Sequence, residues 1–264
     1  MPTVSRSASP FAYLAIGLIA GTFSGFFGVG GGIIMIPLLM LALKLDQRQA
    51  SVTSLAAIIL TATVAAVTFL ASGTVPWDQV AFGLILAVGS TATAPLGARA
   101  LRTWNVALVR WIFIGLLGIA SVLVFITLPD RSVHLEWSVG TVVGLVALGA
   151  VMGFVAGLLG VGGGLIVVPV LIVAFGVSDL TAKALSLVAM VPASISGTLN
   201  SHRAGLVNWR NGIALGIPAA CASPFGVWLA TLVPVQVAEP LLTALIAFAA
   251  IQLATRALAA GGKA

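Results

Sequence analysis

The chain has 264 residues, of which 60% are hydrophobic and only 7% are charged. A soluble globular domain carries roughly 25% charged residues, so this composition excludes a protein with an ordinary water-facing surface. The net charge of +6 would suggest nucleic acid in a soluble chain. Here the basic residues fall in short loops between apolar runs, as the positive-inside rule describes, and we expect no nucleic-acid partner.

Ten apolar segments follow one another along the chain, and most approach the ~20 residues that a membrane-spanning helix needs. Alternating ten-residue strands, as in a membrane barrel, are absent. The first segment follows Arg6 and is interpreted as an uncleaved span, since no clean signal-peptide cleavage site interrupts it. The pattern predicts an all-α polytopic membrane protein with a single integral membrane domain. The predicted segments are 11–27, 31–45, 50–72, 79–98, 106–128, 137–157, 163–177, 182–201, 211–232 and 237–256.

A glycine-rich motif occurs twice, at a constant offset of 132 positions. GFFGVGGGIIMIPLL at 25–39 returns as GLLGVGGGLIVVPVL at 157–171, with every glycine and the proline retained. Further matches follow at the same offset, among them Gly-x-Val-x-Trp at 73–77 and at 205–209. The chain is therefore interpreted as a duplicated unit, with a first repeat over 1–130 and a second over 131–264, each of about five segments.

Charge placement predicts how the repeats lie in the membrane. If all ten segments cross, ten of the 12 Lys and Arg residues fall on one side, and only Arg131 and Lys183 fall on the other. If segments 31–45 and 163–177 do not cross, the split is six against six. The positive-inside rule favours ten crossings with both termini in the cytoplasm. Since five is an odd number, the two repeats would then have inverted topology, which in transporters places the substrate site near the midplane.

The consecutive glycines predict a helix break at membrane depth. Small residues also let helices pack closely, but a contiguous cluster covers all sides of a helix, and Pro37 and Pro169 follow five residues later as helix-breaking residues. A new helix beginning near Gly31 and near Gly163 would present N–H groups without intrahelical partners, at the positive end of its dipole. Two such ends at the midplane would form an anion site built from backbone.

Hydroxyl and basic residues near the glycines add candidate ligands. Thr53 and Ser54 begin the third segment, and Lys183 and Ser186 stand in the matching part of the second half. The alternative for each hydroxyl is a bond to its own helix carbonyl, and for Lys183 it is snorkelling to the interface rather than attracting anions at the outer mouth. The candidate substrate-binding residues are Gly30, Gly31, Gly32, Gly162, Gly163, Gly164, Thr53, Ser54, Ser186 and Lys183.

The remaining polar residues restrict the chemistry. All six acidic residues fall in loops or at segment ends, so no intramembrane carboxylate is available for a conventional proton relay or cation site. The single cysteine, Cys221, excludes a disulfide or a cysteine-based metal site within one chain. We expect no catalytic residue, metal or cofactor, and hence a protein that is not an enzyme. Asn200, His202 and Arg203 are a candidate gate, for which an ordinary loop is the favoured alternative.

These motifs resemble the TauE/SafE sulfite exporter family of membrane permeases. The resemblance rests on the paired GVGGG-x-x-x-x-P runs, on the Gly-x-Val-x-Trp repeats, and on Thr53-Ser54-Leu55 with Leu185-Ser186-Leu187. It implies transport of sulfite, sulfoacetate, another sulfonate or a small carboxylate across a bacterial inner membrane. It also implies a site at glycines 30–32 and 162–164 with Ser54 and Ser186. Leu185 stands where the first half has Thr53, so we expect an asymmetric site; the family is often described with about eight spans.

The leading hypothesis is a transporter that exports a small sulfur-containing anion by alternating access, with the lipid bilayer and that anion as its partners. The alternative is a non-transporting membrane scaffold or sensor subunit whose glycines only pack helices. Alanine at Gly31 or Gly163 is expected to abolish transport with the fold intact in the first case, and to impair assembly in the second. The sequence leaves open the anion, the direction, the coupling ion and the oligomeric state, a homodimer included.

Overall fold

The computed structural model describes residues 10–126 and 137–234, together with short pieces of a further helix at 236–238, 240–244, 247 and 250–251. The tenth predicted segment is therefore described only in part. Several charged residues that entered the topology prediction lie outside the described residues: Arg6, Arg131, Arg256 and Lys263.

The first nine predicted segments are all helices, and the described residues contain no strand. The prediction of an all-α polytopic membrane protein is thus confirmed. The helices are α1 (Pro10–Phe27), α2 (Gly32–Ala42), α3 (Gln47–Ala71), α4 (Trp77–Thr103), α5 (Val106–Ile126), α6 (Val139–Leu159), α7 (Gly164–Phe175), α8 (Asp179–Arg203) and α9 (Trp209–Leu232).

Six of the described helices are long and apolar enough to cross a bilayer, namely α1, α3, α4, α6, α8 and α9. The helices α2 and α7 have only 11 and 12 residues. At 1.5 Å per residue they reach about 16 and 18 Å, roughly half of a hydrocarbon core of ~30 Å. α2 and α7 are too short to cross a bilayer by themselves and would need the non-helical residues that precede them. The ten-crossing topology therefore stays a prediction.

A row of glycines one helical turn apart joins α1 to α9. Gly17, Gly21 and Gly25 lie directly against the α9 backbone, where a methyl group at Gly21 would overlap the carbonyl of Ala219. Small residues at a spacing of four let transmembrane helices approach this closely. These glycines of α1, which come before the GVGGG motif, therefore pack α1 closely on α9.

The second half makes the equivalent contact, in which α6 packs on α4. Gly149, Gly153 and Gly157, at the same offset of 132, lie against the α4 backbone, where a methyl group at Gly153 would overlap the carbonyl of Ser90. The first helix of each half thus packs on the fourth helix of the other half. This exchange fits two halves related by an approximate two-fold axis, while their orientation in the membrane stays a prediction.

The helices α3 and α8 pack against each other and run through the centre of the molecule. Each also packs on the short helix that precedes it, α2 or α7, and on the fourth helix of the other half. Of the six long helices, α8 is the most deeply buried. Residues of both helices face the two glycine motifs, among them Ile58 of α3 and Met190 of α8.

Candidate functional site

The first glycine motif breaks the helix, as predicted. α1 ends at Phe27 and α2 begins at Gly32, and between them the backbone turns through left-handed conformations. The φ angles are +68° at Gly28, +80° at Gly30 and +76° at Gly31. L-residues with a Cβ are strained in this region, so the break requires glycine.

The second motif has the same conformation at the same offset. α6 ends at Leu159 and α7 begins at Gly164. The φ angles are +74° at Gly160, +89° at Gly162 and +82° at Gly163. The duplicated sequence therefore specifies a duplicated backbone geometry, with left-handed glycines at the same three positions of each copy.

The two prolines do not cause the breaks. Pro37 and Pro169 lie inside α2 and α7, and each helix continues through its proline. The helix-break role predicted for them is wrong, because the left-handed glycines have already ended the previous helix. Each proline instead leaves one helix position without an N–H donor in the second turn.

The structure brings the two breaks into direct contact. A methyl group at Gly32 would overlap Val161 and lie 2.8 Å from the carbonyl oxygen of Gly160. A methyl group at Gly164 would lie 2.7 Å from the carbonyl oxygen of Gly28. The first residue of each short helix thus packs on the break of the other half. We call residues 28–32 and 160–164 together the glycine cluster; all ten are buried.

The backbone N–H groups of the glycine cluster are hydrogen-bond donors that could bind a ligand. In α2 the first N–H groups with an acceptor belong to Ile34 and Met35, which donate to Gly31 over 3.1 and 3.0 Å. The equivalent amides of α7 donate to Gly163 over 3.3 and 3.4 Å. Within the described part of the chain, the N–H groups of residues 30–32 and 162–164 have no acceptor. Buried N–H groups without an acceptor at a helix N-terminus favour an anion.

Met190 fills the space between the two breaks. Its Sδ lies 2.7 Å from the Cβ position at Gly30 and 3.0 Å from that at Gly162, and its methyl group overlaps the Cβ position at Gly164. Ile58, its counterpart at the same offset, lies 3.5 and 3.4 Å from the first two positions. The glycine cluster is therefore closed in this conformation. Sequence reasoning missed both residues, although their offset of 132 was a usable signal.

The two candidate serines lie against the breaks. Ser186 is fully buried, its Oγ has no partner among the described residues, and this atom lies 2.8 Å from the Cβ position at Gly164. The Oγ of Ser54 donates to the Sδ of Met35 over 3.7 Å. Neither hydroxyl bonds its own helix carbonyl, so that alternative does not hold for them. Thr53 is buried next to Ser54, but it is not among the nearest neighbours of the break glycines.

Lys183 is placed differently from what the sequence suggested. It is only 4% exposed, its Nζ donates to Oδ2 of Asp179 over 2.9 Å, and it lies 5.7 Å from the ring centre of Phe26. Snorkelling to the interface is therefore wrong, because the charge is buried and neutralised by a carboxylate, while a role of Lys183 in anion binding stays a prediction. Asp179 begins α8 and so lies at a segment end, as predicted, but it is only 5% exposed.

The three candidate gate residues lie at the far end of α8. Asn200 accepts a hydrogen bond of 3.1 Å from Arg102, which ties α8 to α4, and the exposed His202 accepts one of 3.1 Å from Trp209. Arg203 is exposed. Ten residues, or about 15 Å of helix, separate Asn200 from Met190, which lies against the glycine cluster. The structure does not bring the gate residues together with the glycines.

Comparison with known proteins agrees with this architecture. The sequence pattern of the family described as sulfite exporter TauE/SafE matches residues 2–124 and 145–263. The chain belongs to the TauE/SafE family. The predicted resemblance is thus confirmed, and each of the two matched ranges contains one glycine break.

This TauE/SafE member is similar to the "Probable membrane transporter protein YunE" of Bacillus subtilis (strain 168). The two are 29% identical over 231 residues, which cover 78% of this chain and 83% of the relative. No solved structure matches the chain significantly. Together with the apolar helices, the family and the relative identify a multi-pass membrane transporter, which is not a class of enzyme.

Proposed function

We propose that this protein exports a small sulfur-containing anion, such as sulfite, sulfoacetate or another sulfonate, across a bacterial inner membrane by alternating access. The supporting observation is the contact between the two helix breaks in the glycine cluster. Two helix N-termini, each with buried N–H groups that have no acceptor, meet there. Their dipoles and donors favour negative charge at one place.

The proposed ligands are the N–H groups of residues 30–32 and 162–164, with the hydroxyl of Ser186. Sulfite and sulfonates present several oxygen acceptors, and hydrogen bonds to an ionised acceptor are shorter and stronger than neutral ones. The hydroxyl of Ser186 is one of several buried hydroxyls without a partner among the described residues, and its place against the Cβ position at Gly164 leaves it free to donate to a ligand at the break. Ser54, which now donates to Met35, is a second hydroxyl ligand on the side of the first repeat.

Alternating access is proposed to use the two repeats, 1–130 and 131–264, in inverted orientation with both termini in the cytoplasm. The exchanged packing of α1 on α9 and of α6 on α4 supports this, because it gives two equivalent bundles that can rock against each other. The inside-negative potential would drive the anion outward with about 2.3 kcal/mol per charge per 100 mV. Export then requires no coupling ion.

A membrane scaffold or sensor subunit is the second candidate function, and one observation favours it. The break glycines touch backbone atoms of the other half, so they also pack the molecule. Alanine at Gly31 does not distinguish the two functions, because its Cβ would lie 2.7 Å from the carbonyl oxygen of Ala20 at a φ of +76°. Gly163 is equally close to Met152, at 2.6 Å. Both substitutions should disturb the fold whatever the function is.

Proteoliposomes test the proposal. Purified full-length protein is reconstituted, the vesicles are loaded with sulfite, sulfoacetate or acetate, and release is measured with and without an inside-negative potassium diffusion potential. The transporter should release at least one sulfur-containing anion faster than protein-free vesicles do, and the potential should accelerate this release. A scaffold or sensor subunit would release none of the three anions above the protein-free rate.

A further inference from the structure

Asp179 and Lys183 are, among the described residues, the only charged side chains that are buried, at 5% and 4% exposed. Their Oδ2 and Nζ atoms form an ion pair of 2.9 Å one helical turn apart on α8. Removing two charges from water is so unfavourable that a buried ion pair often contributes no more stability than apolar residues of the same volume. Stability alone therefore does not explain why two charged residues are buried at the start of α8.

The first half of the chain fills the equivalent place without charge. Gln47 and Ser51 stand at the offset of 132 from Asp179 and Lys183, also one turn apart, at the start of α3. Gln47 is 1% exposed and Ser51 is fully buried, and neither side chain has a hydrogen-bond partner in the described part of the protein. The same architecture therefore tolerates a neutral pair, and the charged pair is a property of the second half alone.

The charged pair lies next to the glycine cluster. Cα and Cβ of Lys183 lie 2.7 and 2.6 Å from the Cβ position at Gly28. Ser186, three residues further along α8, lies 2.8 Å from the Cβ position at Gly164. Residues three apart share one face of a helix. Lys183 and the unpartnered hydroxyl of Ser186 thus face the two breaks from the same side.

We propose that Asp179 is an exchangeable counter-ion, which holds Lys183 in the closed conformation and gives way to the transported anion when it binds. This inference rests on the proposed function and adds the residue that competes with the substrate. The flexible four-carbon stem of Lys183 lets its ammonium reach either partner. Asp179 is the first residue of α8, where the positive end of the helix dipole stabilises its carboxylate once Lys183 has turned to the anion.

The exchange keeps the charges balanced. Lys183 is neutralised in both states, first by the carboxylate of Asp179 and then by an oxygen of the anion, so a cation is never left unpaired in a buried position. No covalent bond forms or breaks, and no proton needs to move. A neutral molecule of the same size cannot replace the carboxylate, so the exchange also selects for anions.

Three variants of the full-length protein test the exchange. Asp179→Asn removes the competitor, and Lys183→Gln removes the cation. The double variant Asp179→Asn, Lys183→Gln removes both charges, so that the pair is neutral like Gln47 and Ser51 in the first half. Asp46→Asn is the matched control, because it removes an exposed carboxylate at the start of α3, where asparagine caps the helix equally well. Sulfite, sulfoacetate and acetate are titrated against the thermal unfolding of the solubilised protein, and release is measured from proteoliposomes.

The exchange predicts opposite effects of the two single substitutions. Asp179→Asn should lower the half-saturating anion concentration by about tenfold, and Lys183→Gln should raise it by about tenfold or more. The double variant should unfold at the wild-type temperature and yet bind the anion as weakly as Lys183→Gln does. The Asp46→Asn control should bind like wild type.

A purely structural ion pair gives a different pattern. Asp179→Asn would then bind no more tightly than wild type, and the double variant would recover wild-type binding together with wild-type stability; either result overturns the exchange. If sulfite binding changes among the variants as predicted, but wild-type protein releases none of the three anions, the proposed function is refuted and the exchange stands. Wild-type protein that releases an anion while Asp179→Asn binds it unchanged refutes the exchange alone. Protein that neither binds nor releases any of the three refutes both.

Discussion

The Sδ atom of Met190 lies 2.7 Å from the point that a Cβ at Gly30 would occupy. The same side chain reaches the Cβ positions of Gly162 and Gly164 in the other half. A single flexible residue of α8 therefore closes the place where the two helix breaks meet. Because methionine has three rotatable bonds and no branch, its side chain can change rotamer more readily than a branched residue such as Ile58.

Met190→Ala should open the glycine cluster. Deleting a buried methionine side chain leaves a cavity and should lower the free energy of unfolding by about 2 kcal/mol or more. The same deletion removes the group that an incoming anion must displace, so the half-saturating anion concentration should fall by about tenfold, which corresponds to ~1.4 kcal/mol. Thermal unfolding and anion release from proteoliposomes measure the two effects.

Ile58→Ala is the control for this prediction. Ile58 is the counterpart of Met190, is equally buried, and lies 3.5 Å from the Cβ position at Gly30. It should lose similar stability but should change anion binding less, because it does not overlap the positions that the anion would take. Equal binding in the two variants would mean that Met190 is only a core residue.

Ser186→Ala should weaken anion binding without weakening the fold. Its hydroxyl is buried with no partner in the described part of the chain, so its removal should leave the free energy of unfolding unchanged or raise it by about 1 kcal/mol. A hydrogen bond to a charged group contributes about 1.5 to 3 kcal/mol, so binding should weaken about tenfold or more. Thr61→Val is the control, since it removes a buried hydroxyl that bonds its own helix at Ala57. Unchanged binding in Ser186→Ala would exclude this hydroxyl as a ligand.

Gly21→Ala should separate α1 from α9. The added methyl group would overlap the backbone of Ala219, and overpacking of this kind lowers the free energy of unfolding by about 1 to 3 kcal/mol. Gly118→Ala, in α5, is the control because nothing lies within 4 Å of its Cβ position. That variant should be neutral or more stable by up to about 1 kcal/mol. Thermal unfolding in detergent measures both, and equal melting temperatures would contradict the helix contact described here.

Inverted topology places the loop between α3 and α4 and the loop between α8 and α9 on opposite sides of the membrane. Thr74 and Leu206, which correspond at the offset of 132, are both exposed in these loops. In a Cys221→Ser background, a cysteine at 74 should react with an impermeant thiol reagent added to intact cells. A cysteine at 206 should react only after permeabilisation. Reaction of both cysteines from the same side would refute the inverted arrangement.

The helices and the breaks were predictable because they depend on local sequence. Apolar runs fix the helices, and consecutive glycines fix the left-handed break wherever it lies in the fold. The prolines misled the prediction, since a proline such as Pro37 can lie within a short helix without ending it. The packing row of Gly17, Gly21 and Gly25 was missed, although a spacing of four between small residues is its known signal.

The contents of the candidate site were less predictable because they depend on contacts between the halves. Asp179 and Lys183 stand four residues apart, so their pairing could have been expected from helix geometry, but their burial could not. The position of Met190 between the breaks follows only from the packing of α8 on α7 and on the other half. Sequence reasoning thus located the backbone of the candidate site and missed the side chains that close it.

A structure of the full-length protein with selenite, a heavier analogue of sulfite, tests the central claim most directly. Anomalous scattering at the selenium edge locates the anion independently of the fitted side chains. The account predicts a peak within hydrogen-bonding distance of the N–H groups of residues 30–32 and 162–164, with Met190 withdrawn from between them. A peak elsewhere, with Met190 still against Gly30 and Gly162, would contradict it.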